Sequence, residues 1–184
     1  MPMPKEELYT ADHFLRLTAN SELRQELLDG EIVALASPST LHQEIVGGLY
    51  AEIRAYIKAN HGSCRPFVSP FDVKLNDDTV VIPDVMVVCD PSKLDEKRCN
   101  GAPDWVIEVT SSNFKTDYSD KLLLYKSAGV REYWIVDPDQ QKVFVYYFEQ
   151  STNTVQFYGF DETIPVNIYK DSPVQLAIRI HDIL

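Results

Sequence analysis

The sequence predicts an α/β (α+β) fold, a mixed β-sheet flanked by helices, on three observations. Its centre reads strand, strand, helix, strand, the order that lays a helix against a sheet. A long segment ahead of that centre repeats apolar residues every three or four positions, the period of a helix with one buried face. Hairpin signals lie toward both ends, so β-hairpins flank the core. The 184 residues fit one domain spanning 1–184, without internal repeat or domain-scale linker, and 45% apolar against 24% charged residues is the profile of a folded globular chain.

Taken in order, Thr10 is a candidate N-cap for a short helix through Leu17, with Phe14, Leu15 and Leu17 as its apolar residues. Asp29-Gly30 separates Arg24-Gln25-Glu26-Leu27-Leu28 from Glu31-Ile32-Val33-Ala34-Leu35, and an Asp-Gly pair between such runs is a strong hairpin signal because glycine tolerates positive φ. After Ser37-Pro38-Ser39 a helix is expected over 40–59, with Leu41, Ile45, Leu49, Ile53 and Tyr56 on its buried face. Gly47-Gly48 costs that helix about 1 kcal/mol per glycine, which close backbone packing would offset. Strands follow at 64–68, 71–75 and 80–88, then a polar loop over 90–103 and a strand at 105–110. A helix over 117–128, with Leu122, Leu123, Tyr125 and Ala128 near its buried side, ends before Gly129, where a C′ glycine belongs. A strand at 132–136 precedes a hairpin of 142–148 with 155–158, and the tail over 163–184 reads as short β segments. The aromatics Tyr133-Trp134 and Tyr146-Tyr147-Phe148 fit core and cross-strand packing better than base stacking.

Charge and composition exclude several functions. Seventeen Lys and Arg against 28 Asp and Glu give a net charge of −11, the wrong sign for a polybasic nucleic-acid or membrane-surface binder. It still permits an enzyme that meets a polyanion through a few local cations and a metal ion. No apolar run approaches the roughly 20 residues needed to cross a bilayer, and acids occupy the N-terminus where a signal peptide needs an apolar segment. Cys64, Cys89 and Cys99 are odd in number and contain no CxxC pair, so neither a disulfide framework nor a zinc ribbon is expected, and a reducing cytoplasmic setting is the simplest one. HExxH, GxSxG and Walker-type spacings are absent, which argues against zinc proteases, the common serine hydrolases and P-loop enzymes.

Two carboxylates break the hydrophobic pattern. Asp84 interrupts 80–88 and Glu108 interrupts 105–109, each inside a run that otherwise reads as core strand. An ionised carboxylate taken out of water costs several kcal/mol and needs a cation, a metal or several donors. Two on neighbouring strands make a natural divalent-cation site. The alternative is structural: Asp84 caps a turn after Pro83, and Glu108 pairs with a lysine across the sheet. The segment 113–131 carries Lys115, Lys121, Lys126 and Arg131 against Asp117 and Asp120, a net +2 in a chain of −11. Lys121, one turn after Asp117, is therefore placed to steady a phosphate or an attacking oxygen, unless it only pairs with Asp117 at the surface.

These residues carry a resemblance. Pro83-Asp84 followed by Glu108-x-Thr110 resembles the metal-binding signature of PD-(D/E)XK nucleases. Glu26-Leu27-Leu28-Asp29-Gly30-Glu31, Ser37-Pro38-Ser39 with His42, Pro103-Asp104-Trp105-Val106-Ile107-Glu108-Val109, Asp117-x-x-x-Lys121-x-x-x-Tyr125 and Gly129-Val130-Arg131-Glu132-Tyr133-Trp134-Ile135-Val136-Asp137-Pro138 extend it. The series, over about residues 8–148, is similar to the Uma-two family of bacterial proteins described as putative restriction endonucleases. The resemblance implies a restriction-endonuclease-like core in which Asp84, Glu108 and the Val109 carbonyl bind Mg²⁺ or Mn²⁺. Thr110 stands where the usual lysine of that signature would, so Lys121 from the following helix takes its role. Glu26 would be a third carboxylate at the site, and His42 and Asp117 candidates for substrate contact or proton transfer. The expected function is a metal-dependent DNA endonuclease of the cytoplasm, with a homodimer as the assembly that suits two antiparallel strands. The rival is a non-catalytic nucleic-acid-binding or assembly module on the same scaffold.

Overall fold

The structure, a computed structural model, describes residues 8–110, 117–150 and 155–184, with backbone alone at 117–119. Helix α1 (Ala11–Leu17) is capped as expected, the Thr10 hydroxyl accepting the His13 N–H. Strands β1 (Gln25–Leu28) and β2 (Glu31–Ala34) pair across Asp29-Gly30, whose φ values of 49° and 86° explain the choice of residues. Helix α2 (Thr40–Ala59) starts at a Ser39 cap and buries Ile45, Val46, Leu49, Ile53 and Ile57. Its stripe is rotated from the expected one: Leu41 is exposed, and the position facing inward in the first turn is His42.

Then come β3 (Arg65–Val68), β4 (Asp72–Lys74), β5 (Val80–Val81), β6 (Val85–Val88), β7 (Arg98–Asn100), β8 (Trp105–Val109), helix α3 (Asp117–Ala128), β9 (Glu132–Asp137), β10 (Lys142–Tyr147), β11 (Val155–Gly159), β12 (Ile164–Pro165) and β13 (Ala177–Ile178). One sheet runs β2-β1-β5-β4-β7, a second β11-β10-β9-β8-β6-β3, and β12 pairs with β13. The sheets are mixed, since β8–β9 and β4–β7 are parallel and the other pairs antiparallel. Helix α3 makes the parallel β8–β9 crossover, which no hairpin could.

Residues alternate cleanly across the second sheet. Val85, Val87, Trp105, Ile107 and Val109 face α2 in one core cluster, while Met86, Val88, Val106, Tyr133 and Ile135 face Tyr125 of α3 in another. Each such fully buried aliphatic side chain contributes roughly 1.5–3 kcal/mol relative to an exposed one. Tyr133, Trp134 and Tyr147 are buried, so these aromatics are packing residues.

The structure corrects several expectations. The apolar run 80–88 is two strands in two sheets, because Pro83 lacks the N–H a ladder needs and turns the chain at Ile82-Pro83-Asp84. The polar loop contains β7, which rests beside β4 and buries Cys99. Cys64 and Cys89 form a disulfide, contrary to the expectation of none. The β3–β6 register that pairs Arg65 with Val88 makes these cysteines the next cross-strand partners, a placement that cysteine counting cannot reveal. On α3, Leu123 is exposed while Lys121 and Tyr125 are buried. Gly48 does let the chain close in, since a Cβ there would stand 2.7 Å from the Ile183 carbonyl, whereas Gly47 faces open space. Of the turn expected around Gln150–Asn153 between the last two long strands, residues 151–153 lie outside the described residues.

Candidate active site

Asp84 and Glu108 meet because of the β6–β8 register. Val85 pairs with Ile107, so the next pair outward in this antiparallel ladder is Asp84 with Glu108. Their spacing of 24 residues therefore makes them direct cross-strand neighbours, and strand alternation turns both to the α3 face, alongside Met86 and Val106. The Asp84 N–H donates to Glu108 Oε2 at 3.3 Å, and the Val109 N–H donates to Asp84 Oδ2 at 2.9 Å. Each carboxylate is thus held by the other's strand.

Lys121 of α3 enters from the side. Its Nζ lies 3.1 Å from Glu108 Oε1 and 2.9 Å from Glu26 Oε2. Glu26, on β1 of the first sheet, is 1% exposed and also accepts the Ile82 N–H at 2.8 Å. Tyr125, one turn after Lys121 on the same helix face, donates its hydroxyl to Glu108 Oε1 at 2.7 Å. The site thus sits where the two sheets join at Pro83, with α3 closing it. Burying a lysine is unfavourable by itself, but the two carboxylates explain why α3 turns Lys121 rather than Leu123 inward.

His42 reaches the cluster from the first turn of α2. Its Nε2 is 3.0 Å from Asp84 Oδ2, and because an ionised carboxylate only accepts, that nitrogen carries the proton. Its Nδ1 is buried without a partner among the described residues. Thr110 bonds back to the Val136 carbonyl at 3.3 Å. The backbone of Asp117 opens α3, but its side chain lies outside the described residues. A cleft of about 240 Å³ opens over Asp84, Glu108, Lys121, His42 and Val109, with Val33 to Pro38 along one wall.

The electrostatics follow from burial and crowding. Burial pushes the Glu108 carboxyl up to about 7; Lys121 and the Tyr125 hydrogen bond lower it, and the negative charges of Asp84 and Glu26 add to the rise. Burial opposes the charge on Lys121, but Glu108 and Glu26 outweigh it and hold the ammonium above its ordinary pKa. His42 behaves likewise: burial lowers its pKa, and the hydrogen bond and charge of Asp84 with the charge of Glu108 raise it overall. With His42 neutral and Glu108 deprotonated, above about pH 7, three carboxylates against one ammonium make the cluster doubly negative.

The donor set fits a hard divalent cation of the Mg²⁺ class: oxygen atoms of two adjacent carboxylates whose mutual repulsion a cation relieves, with room for water and phosphate in the cleft. Among the described residues no group of three or more His, Cys, Asp and Glu side chains is disposed to hold a metal ion.

Sequence reasoning brought Asp84, Glu108, Glu26, Lys121 and His42 to one place. It missed Tyr125 as a polar member, although the four-residue step from Lys121 was visible, and it missed Arg24, which lines the cleft. Glu132 shows the limit of reading embedded acids as functional. It opens the apolar strand β9, and burial raises its pKa to about 7, but its oxygens take the Trp134 Nε1–H at 2.7 Å, the Ile168 N–H at 2.8 Å and the Asn167 amide at 3.1 Å. It is a satisfied structural carboxylate.

The Uma2 family model, described as "Putative restriction endonuclease", matches residues 11–173. A crystal structure of a putative nuclease belonging to DUF820 from Anabaena variabilis superposes with a TM-score of 0.76 at 25% identity, covering 95% of this chain and 96% of that one. No curated protein matches. Among the described residues no helix is long and apolar enough to cross a membrane. The nuclease-like core, the ordered motifs and the extent of the match together make this chain a member of the Uma2 family of putative restriction endonucleases.

Proposed function

We propose that the protein is a metal-dependent DNA endonuclease in which Asp84, Glu108 and the Val109 carbonyl hold Mg²⁺ or Mn²⁺. The observation that carries this reading is the cross-strand pairing of Asp84 with Glu108 on one face, with Lys121 Nζ 3.1 Å from Glu108. A bound divalent cation supplies Lewis acidity toward the scissile phosphate and toward water.

The chain's own residues set the stage for that chemistry. The Val109 N–H and His42 orient Asp84, and the Asp84 N–H and Tyr125 orient Glu108, so neither carboxylate must reorganise when a cation arrives. Lys121 is held protonated by its neighbours and is therefore no general base at neutral pH. It acts as a fixed positive charge and donor, orienting a water or steadying negative charge on the attacked phosphate. Glu26 keeps that ammonium in place from behind. A homodimer is the assembly that cutting both strands of a duplex calls for.

Calorimetry with Mn²⁺ on the wild type and Asp84→Ala, with plasmid nicking across several metals, tests the reading. Wild type should bind and nick, and the variant should do neither. A wild type that neither binds metal nor nicks overturns it; DNA binding without cleavage would favour the non-catalytic module.

A further inference from the structure

Lys121 is paired with both Glu26 and Glu108, so the charge it brings to the site is largely balanced by those carboxylates. Arg24 is different. It precedes β1, and the alternation of that strand puts Arg24 on the same side as Glu26, two residues on, while Leu27 packs under α1. Arg24 lines the same cleft as Asp84 and Glu108. One of its terminal nitrogens donates to the Ser69 hydroxyl at 2.6 Å, which fixes the guanidinium, and its Nε is buried without an acceptor among the described residues. No carboxylate pairs with it among those residues, although acids outnumber cations across the chain; Arg131, by contrast, is held by Asp104 and Glu149.

A half-buried, oriented guanidinium with an unmade hydrogen bond at its buried Nε and no counter-ion among the described residues suits an oxyanion. A divalent cation would balance the charge of the cluster with its carboxylates ionised, so excess positive charge toward a phosphodiester has to come from outside it. Arg24 supplies the surplus positive charge. We propose that Arg24 is the residue of this cleft that binds a backbone phosphate of the nucleic-acid substrate, held in position by Ser69. This rests on the nuclease reading.

The test is equilibrium binding of a short fluorescent DNA duplex, and of its single strand, with Ca²⁺ in place of Mg²⁺, followed by anisotropy over a range of KCl. Wild type, Arg24→Gln and Arg24→Lys are compared, each checked by thermal melting. Arg24→Gln should weaken binding about tenfold or more, the usual effect of losing a charge-assisted contact. The slope of log affinity against log salt should shrink by about 0.9, the signature of one lost phosphate contact. Arg24→Lys should recover the slope but not the full affinity, because an ammonium lacks the planar fork. Wild-type binding with an unchanged slope in Arg24→Gln overturns the proposal and leaves the nuclease reading standing. An equal loss of affinity in both variants with the slope intact does the same, because it marks a structural role. A wild type that binds neither DNA form while still taking up Mn²⁺ overturns both.

Discussion

Replacing Lys121 by alanine removes the one ammonium between two carboxylates that are nearly or wholly out of water. Breaking a buried pair by deleting one partner typically costs about 3–5 kcal/mol, since the remaining charge keeps its desolvation penalty. At roughly 2–4 °C per kcal/mol for a domain of this size, melting should fall by roughly 6–20 °C. The loss should also depend on pH. Lys121 itself stays protonated from pH 5.5 to 8, so the pH dependence belongs to its partners. Glu108, already pushed up to about 7, loses the neighbour that most lowers it and rises further. An acid whose folded pKa is raised holds a proton that the unfolded chain has released, so stability declines as pH climbs from near 4.5 through the folded value. The deficit of Lys121→Ala must then be larger at pH 8 than at pH 5.5. Urea unfolding of both proteins at the two pH values measures it. A loss under about 1 kcal/mol at pH 8, or an equal loss at both pH values, would refute the buried-pair argument. On the functional side the variant should keep Mn²⁺ binding at pH 8 and lose nicking, and unchanged turnover would remove Lys121 from the mechanism.

Asp84→Asn should abolish cation binding while bringing the Glu108 pKa back toward its ordinary value, because the Asp84 charge is one of the causes that raise it; carboxyl NMR titration reads this directly. The metal-free wild type should lose stability between pH 5 and pH 8, as both Glu108 and Glu132 carry folded pKa values near 7, and saturating Mn²⁺ should flatten that decline in the Glu108 part alone. Glu132→Ala leaves the Trp134 and Ile168 donors unpaired and should cost about 3 kcal/mol by urea unfolding, with Mn²⁺ affinity unchanged. The two adjacent glycines of α2 should respond in opposite directions. Gly47→Ala, facing open space, should stabilise by about 0.5–1 kcal/mol, and Gly48→Ala, driven against the Ile183 carbonyl, should destabilise by about 1–3 kcal/mol.

Local chemistry was enough to read much of this protein from its chain. The Thr10 cap, the Asp29-Gly30 turn, the span of α2 and the bounds of α3 follow from residues within a few positions of one another, and the structure places them as expected. The acids at 84 and 108 were conspicuous for a similar reason: a charge inside a valine-rich strand is costly wherever that strand goes. What the chain could not state was register and direction. That Asp84 stands opposite Glu108 depends on β6 meeting β8 antiparallel, and that Cys64 meets Cys89 depends on β3 meeting β6; pairings between distant strands are set by how whole faces pack. The same limit explains Lys121, an outlier on its helix until Glu26 arrives from the other sheet, and Glu132, another acid in an apolar strand, yet satisfied by Trp134, the Asn167 amide and the Ile168 N–H. Sequence determined which groups would be expensive to bury. Tertiary structure decided which of them found structural partners and which were left facing a cleft.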